Sequence, residues 1–222
     1  MNKQPGVIGI KLGCTQIFND DGTLKRVTVI EAGPITIVDK RTAERDGYTA
    51  LVLGFGERKE KHTAKPQLGY YKKANLTPKR KLKELRCEAE FADKFEVGGV
   101  LKLDELFQVG QKVDAQGRTR GRGFSGVVRR WSMAGQVQTH GTHECRRHGG
   151  SIGTNMTPGR TLPGLKMAGQ YGDELVSVLN LKIARIDADK HLLLIEGAIP
   201  GASNGPVFIR QAVKTRKRKV GR

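Results

Sequence analysis

Several segments of the chain alternate apolar and polar residues at a period of two, the spacing of a half-buried β-strand. Arg26–Ala32 (RVTVIEA) does so, and Gly33-Pro34 follows as a turn signal. Ile35–Val38 is rich in β-branched residues, and Tyr48–Phe55 (YTALVLGF) is a third run, entered through Asp46-Gly47. Val100–Leu106 is a shorter candidate. Leu175–Ile186 (LVSVLNLKIARI) alternates over many residues, Asp187–Lys190 turns, and His191–Glu196 returns as the partner of a hairpin. Val207–Ile209 closes the set. Many strands, Gly/Pro turns and few helices predict an all-β dominated fold with minor α, built on a closed β-barrel. Its expected core is Val27, Val29, Ile37, Leu51, Leu53, Val176, Val178, Leu192 and Leu194.

Two stretches break the pattern. Thr77-Pro78 resembles a helix N-cap followed by a first-turn proline, after which Leu82 and Leu85 fit one side of either a short helix or a strand. Phe124, Val127, Val128 and Trp131 fall at i, i+3, i+4, i+7, one face of a short helix with Arg129 and Arg130 opposite. From Gly135 to Gly169 no period survives, and seven glycines lie between 141 and 169. A loop that long marks function or disorder in a compact domain. It has no apolar core of its own, so an extended arm ordered by a partner is expected. The organisation read from the chain is a barrel scaffold over 1–115 and 171–209 with a basic insertion at 57–86, an extended finger at 116–170, and a basic tail at 210–222.

Charge sharpens that division. The 222 residues carry 40 Lys+Arg against 22 Asp+Glu, a formal +18. Residues 57–86 hold 11 basic and 3 acidic side chains, 116–170 hold 9 and 1, and 210–222 hold 7 and none. A nearly neutral scaffold therefore bears three strongly basic segments. A solvated face would intersperse both signs, whereas a stretch this one-sided repels itself in water unless a polyanion covers it. Nucleic acid is favoured over an anionic membrane.

Other classes fall away. No apolar run approaches the ~18 residues of a membrane span, and no secretory signal is expected from the N-terminus. Three cysteines, Cys14, Cys87 and Cys145, are too few for a disulfide scaffold and suit a reducing compartment. No GxxxxGK[ST] loop occurs, so NTP hydrolysis has no support.

The chemistry concentrates in the basic arm. RTRGRGF supplies Arg118, Arg120 and Arg122 between glycines. Glycine permits close backbone approach, and guanidinium groups fork onto phosphate and stack on bases. The alternative is a flexible solubilising linker, which fits less well because the run leads straight into the amphipathic turn. HGTHECRRH gathers His140, His143, Cys145 and His148 with Arg146 and Arg147. The spacing matches no paired-knuckle zinc pattern, and two arginines beside a thiolate suit an anion better than a cation. Cys145 with a neighbouring histidine could be drawn as a nucleophile and base, but this stretch offers no rigid support for one. Trp131 is either a base-stacking platform or packing at the arm's base. No cofactor, metal or small-molecule substrate is expected.

Collinear segments then identify a family. GVIGIKLGCTQIF (Gly6–Phe18), VTVIEAGP (Val27–Pro34), DGYTALVLGFG (Asp46–Gly56), GRGFSGVVRRW (Gly121–Trp131), the Thr139–Arg160 arm, KMAGQYG (Lys166–Gly172) and DADKHLLLIEGAIPG (Asp187–Gly201) together resemble the bacterial large-subunit ribosomal protein L-three family. The resemblance implies a six-stranded Greek-key barrel similar to domain two of elongation factors, with a long central finger. It also implies a structural, non-enzymatic, cytoplasmic protein. Such a protein binds 23S ribosomal RNA near its 3′ end early in subunit assembly, neighbours other large-subunit proteins, and sends the finger toward the peptidyl transferase centre. The expected RNA contacts are Lys11, Arg118, Arg120, Arg122, Arg129, Arg130, Trp131, His140, His143, Arg146, Arg147, His148, Arg160 and Lys166. The chain departs from the family at Cys14, where many members have Met, and at Ile10, where a basic residue is usual. Met156 replaces a glutamine that some members methylate, so that modification is not expected. The tail Thr215–Arg222 is more basic than usual. A free-standing nucleic-acid chaperone or regulator is the rival function; high-salt washing of large subunits would remove it and leave a ribosomal protein in place.

Overall fold

The computed structural model describes residues 5–19 and 21–214. Along the chain it forms β1 (Gly6–Phe18), β2 (Leu24–Glu31), β3 (Ile35–Arg41), α1 (Ala43–Asp46), β4 (Ala50–Glu57), α2 (Lys65–Lys73), β5 (Lys79–Arg86), α3 (Ala89–Asp93), β6 (Val100–Leu101) and α4 (Leu103–Leu106). β7 (Lys112–Arg118), β8 (Phe124–Ser125), α5 (Val127–Trp131), β9 (Gly169–Gln170), β10 (Leu175–Asp187), β11 (Leu192–Glu196) and β12 (Pro206–Gln211) follow. Strands dominate, as the alternation predicts. The chain divides into two compact units: one runs to Arg118 and resumes at Leu175, and the other is the insert Thr119–Glu174.

In the first unit, six antiparallel strands close a barrel in the order β1-β12-β7-β10-β11-β2. Closure removes the free strand edges that would otherwise invite aggregation. Gly9 lets β1 and β2 close up, because a Cβ there would lie 2.6 Å from Ile30 Cγ2 and 2.7 Å from the Glu31 carbonyl oxygen.

The expected core needs four corrections. Ile37, Leu51 and Leu53 are fully buried but belong to a second sheet, ordered β5-β4-β3-β6, not to the barrel. That sheet shares one apolar core with the barrel through Ile35, Leu53 and Leu85. Its other face carries Val38 and Val52, which pack on Tyr71 of α2. Burial on both faces is why β4 reads as an unbroken apolar run. In β11, Leu193 and Ile195 are buried, while Leu192 and Leu194 are only half-buried. In β2, Val27 and Ile30 are buried and Val29 is half-buried.

In β10, Val176 is exposed and Val178 half-buried, and the strand's core residue is Ile183. Bulges between Val178 and Leu181 and between Ile183 and Arg185 explain the shift. Each extra residue moves the inward side chain to the opposite parity. Asn180 sits in the first bulge with φ 59° and donates its backbone N–H to Asp114 Oδ1 at 2.9 Å.

Other segments resolve as follows. Of the two readings left open after Thr77-Pro78, the strand, β5, is the one formed; Leu85 then points into the core and Leu82 outward. Val100–Leu106 is a two-residue strand followed by a helical turn. Gln116 and Gly117, read as the start of the finger, lie within β7, where Gly117 is buried. The tail Thr215–Arg222 lies outside the described residues.

Beside the second sheet, Asp39, Asp46 and Glu84 face Arg41 and Arg45. Arg41 Nη1 lies 3.1 Å from Asp46 Oδ1, and Arg45 Nε lies 2.9 Å from Asp46 Oδ2. Partial burial raises the Asp46 pKa, but the hydrogen bond from Arg45 and both arginine charges outweigh it and hold the carboxyl below its ordinary range.

Candidate nucleic-acid interface

The insert has almost no core: among its described residues only Ser125 and Val127 are buried. Backbone bonds close its base. Arg122 N–H donates to the Tyr171 carbonyl at 2.9 Å, and Tyr171 N–H returns to the Gly123 carbonyl at 3.0 Å. β8 pairs antiparallel with β9 immediately beyond. The Arg122 guanidinium lies 5.1 Å from the Tyr171 ring centroid, a cation–π distance. Gly172, at φ +74°, abuts the Arg120 carbonyl so closely that no Cβ would fit.

The helical face predicted for 124–131 is only partly realised. α5 covers Val127–Trp131; Phe124 lies in β8 and is 81% exposed. Ser132 ends the turn in the left-handed region at φ 59°. Trp131 and Arg130 then converge on one backbone oxygen. Trp131 Nε1 donates to the Met167 carbonyl at 2.8 Å and Arg130 Nη1 donates to it at 2.9 Å. The Arg130 guanidinium is 4.9 Å, and the Lys166 ammonium 6.0 Å, from the indole centroid. Three predicted contact residues, Arg130, Trp131 and Lys166, 36 positions apart at the extremes, thus form one cationic cluster on an aromatic ring. Of the two roles foreseen for Trp131, the structure shows packing at the arm's base: the indole N–H fastens the returning chain, while 40% of the residue stays exposed.

The remaining predicted residues spread over the surface. Arg118 is exposed at the end of β7. Arg120, Arg129 and Arg160 are exposed on the insert. The 140–148 stretch folds as a turn of 3-10 helix over Glu144–Arg147, pinned by Gln136 N–H donating to the Arg146 carbonyl at 2.9 Å. His140, at φ 56°, and His143, Cys145, Arg146, Arg147 and His148 all present exposed side chains. Among the described residues, no three His, Cys, Asp or Glu side chains gather into a metal-ligand set. Lys11 stands apart. It lies half-buried at a bulge in β1, and its Nζ donates to the Ile199 and Gly201 carbonyls at 2.7 and 3.2 Å. Two of its three donors therefore tie β1 to the loop before β12. Tyr171 was not foreseen: it meets the Arg-Gly run only through chain reversal, which local sequence does not signal.

Eight cations lie between residues 120 and 166 against one carboxylate, Glu144. None of the eight has a carboxylate within ion-pair distance among the described residues. The insert is thus an uncompensated cationic surface, suited to a line of phosphates.

Comparison with known proteins identifies the family. The family described as Ribosomal protein L3 matches over residues 71–192. The chain is 64% identical to large ribosomal subunit protein uL3 of Sorangium cellulosum over 97% of its own length and 93% of the relative's. The chain belongs to the ribosomal protein L3 family. The protein of the same name from Myxococcus xanthus is 49% identical over 96% of this chain and 95% of its own. That from Nitrosococcus oceani is 49% identical over 95% and 97%. The family is a structural component of the ribosome rather than an enzyme. The 71–192 match spans the whole insert and the strands on either side of it.

Proposed function

We propose that this protein is a structural constituent of the large ribosomal subunit, in the cytoplasm, bound directly to 23S ribosomal RNA. In this reading the barrel is of the Greek-key type found in domain two of elongation factors, and it positions the protein among neighbouring large-subunit proteins. The insert is an RNA-binding finger that supports early assembly and reaches toward the peptidyl transferase centre. The observation that carries the reading is that the insert holds eight cations without carboxylate partners among the described residues and only two buried side chains. Such a segment gains its order from a polyanion.

Counterion release gives the test. If on the order of 8–10 phosphates are neutralised, log K for a 23S ribosomal RNA transcript should fall against log[salt] with a slope of roughly −6 to −9. A slope shallower than about −3 overturns the reading.

The 140–148 turn gives a second expectation. Each exposed guanidinium can hold a phosphate with two donors, whereas a thiol near neutral pH offers one weak donor. Arg146→Ala with Arg147→Ala should therefore weaken RNA binding more than Cys145→Ser does. Purified protein should carry no stoichiometric zinc by elemental analysis, and a chelator should leave its melting temperature unchanged. One zinc per chain, lost on Cys145→Ser, would falsify this.

A further inference from the structure

The insert does not hold all the basic side chains. Residues 57–86 carry 11 cations, and five of them, Lys79, Arg80, Lys81, Lys83 and Arg86, lie on β5, an edge strand of the second sheet. Lysine on an edge strand commonly serves only to block strand-to-strand aggregation. That role explains scattered charge but not a shaped cleft. Beside β5 lies a cleft of about 650 Å³, lined by Leu82, Lys83 and Arg86 on one side and by Leu179, Phe208 and Arg210 of the barrel on the other.

Its cations are held by aromatic rings. Lys83 Nζ and the Arg210 guanidinium lie 5.6 and 4.7 Å from the ring centroid of Phe208, which is itself buried. Arg86 lies over the Tyr48 ring at 4.4 Å. Such contacts fix a long side chain in place, so less freedom is lost when it meets an anion. The two acids in the lining are already engaged. Glu84 accepts from the Tyr48 hydroxyl at 2.8 Å and faces Arg41 Nε at 3.5 Å. Asp114 accepts from the Asn180 backbone N–H. Leu82 and Leu179 are exposed at the cleft and offer apolar surface.

Along β5, Lys81 continues the same face outward from Lys83. Alternate residues of a strand stand about 6.6 Å apart, a repeat commensurate with successive phosphates of an extended strand. Neither lysine, nor Arg86, has a carboxylate partner among the described residues.

We infer that the β5 cleft is a second RNA-binding site, separate from the insert, in which Lys83 and Arg86 of the lining, with Lys81 just beyond it on β5, hold the backbone of an extended RNA segment. The exposed leucines then pack on ribose or base. This rests on the proposed RNA-binding function. It adds a contact within the first unit that the predicted site residues do not include.

The test compares full-length wild type with Lys81→Gln/Lys83→Gln/Arg86→Gln on a 23S ribosomal RNA transcript across a salt series. Three lost phosphate contacts should make the slope of log K against log[salt] shallower by about 2. Lys81→Arg/Lys83→Arg/Arg86→Lys keeps the charges and should keep the slope. Circular dichroism and thermal melting of both variants separate misfolding from lost contacts: a folded glutamine variant with the wild-type slope overturns the inference. If the RNA slope is unchanged but the variant fails to enter assembled subunits, the cleft faces protein and the inference is overturned as well. A wild type with no salt-dependent RNA binding would instead sink the functional reading itself.

Discussion

Replacing residues 119–174 by a two-residue Asn-Gly turn is expected to leave a protein that unfolds in one cooperative transition and has lost much of its RNA affinity. Arg118 and Leu175 are direct partners in the antiparallel pairing of β7 with β10, so a short turn can join them. The barrel and the second sheet keep every strand of their shared core, because the core cluster contains no residue of the insert. The replaced stretch includes the eight cations between 120 and 166. With some six or more phosphate contacts removed, the salt slope should become shallower by roughly 4. Thermal denaturation and salt-dependent filter binding read the two effects separately. Loss of the cooperative transition would make the insert part of the folding unit. An undiminished slope would mean that its cations are merely solvated.

The second large effect concerns the phase of β11. Leu193→Ala should destabilise the protein by about 2–5 kcal/mol, because it empties a fully buried position in a close-packed core. For a unit of this size that lowers the melting temperature by roughly 5–15 °C. Leu194→Ala, one residue along on the half-buried face, should cost about 1 kcal/mol. Equal losses for the two variants would contradict the register in which Leu193 pairs with Ile30 and Leu194 with Val29.

That register marks where the sequence stopped being decisive. Leu192, Leu193, Leu194 and Ile195 form four apolar residues in a row. The period of two identifies a strand but not its inward face, and a slip of one residue exchanges the faces. Only pairing with β2 chooses Leu193 and Ile195. β10 shows the complementary limit. Its alternation was legible, yet two bulges change parity along it, and the bulges are set by pairing with β7 and β11. The continuous apolar run of β4 was equally legible as a strand. That it belongs to a separate sheet covered by α2 depends on which partner it finds, a long-range contact that local pattern does not encode.

The interface divides along the same line. Charge is a local property, so the sequence by itself determined that residues 116–170 are basic, poor in core residues and rich in glycine. It also determined the family, through collinear segments. Which cations act together is a matter of chain reversal. Arg130, Trp131 and Lys166 meet only because the insert doubles back at β8 and β9 to bring the Met167 carbonyl under the indole. Lys11 was read as an RNA contact, and tertiary structure turned its ammonium onto the Ile199 and Gly201 carbonyls. The β5 cleft was invisible for the same reason. Lys83 and Phe208 lie 125 positions apart, and only the packing of the second sheet beside the barrel sets a lysine over that ring. Composition and period fix what a segment can be, because they act over a few residues. Partner, phase and neighbour are fixed by burial across the whole chain, where the apolar surface removed from water outweighs any local preference.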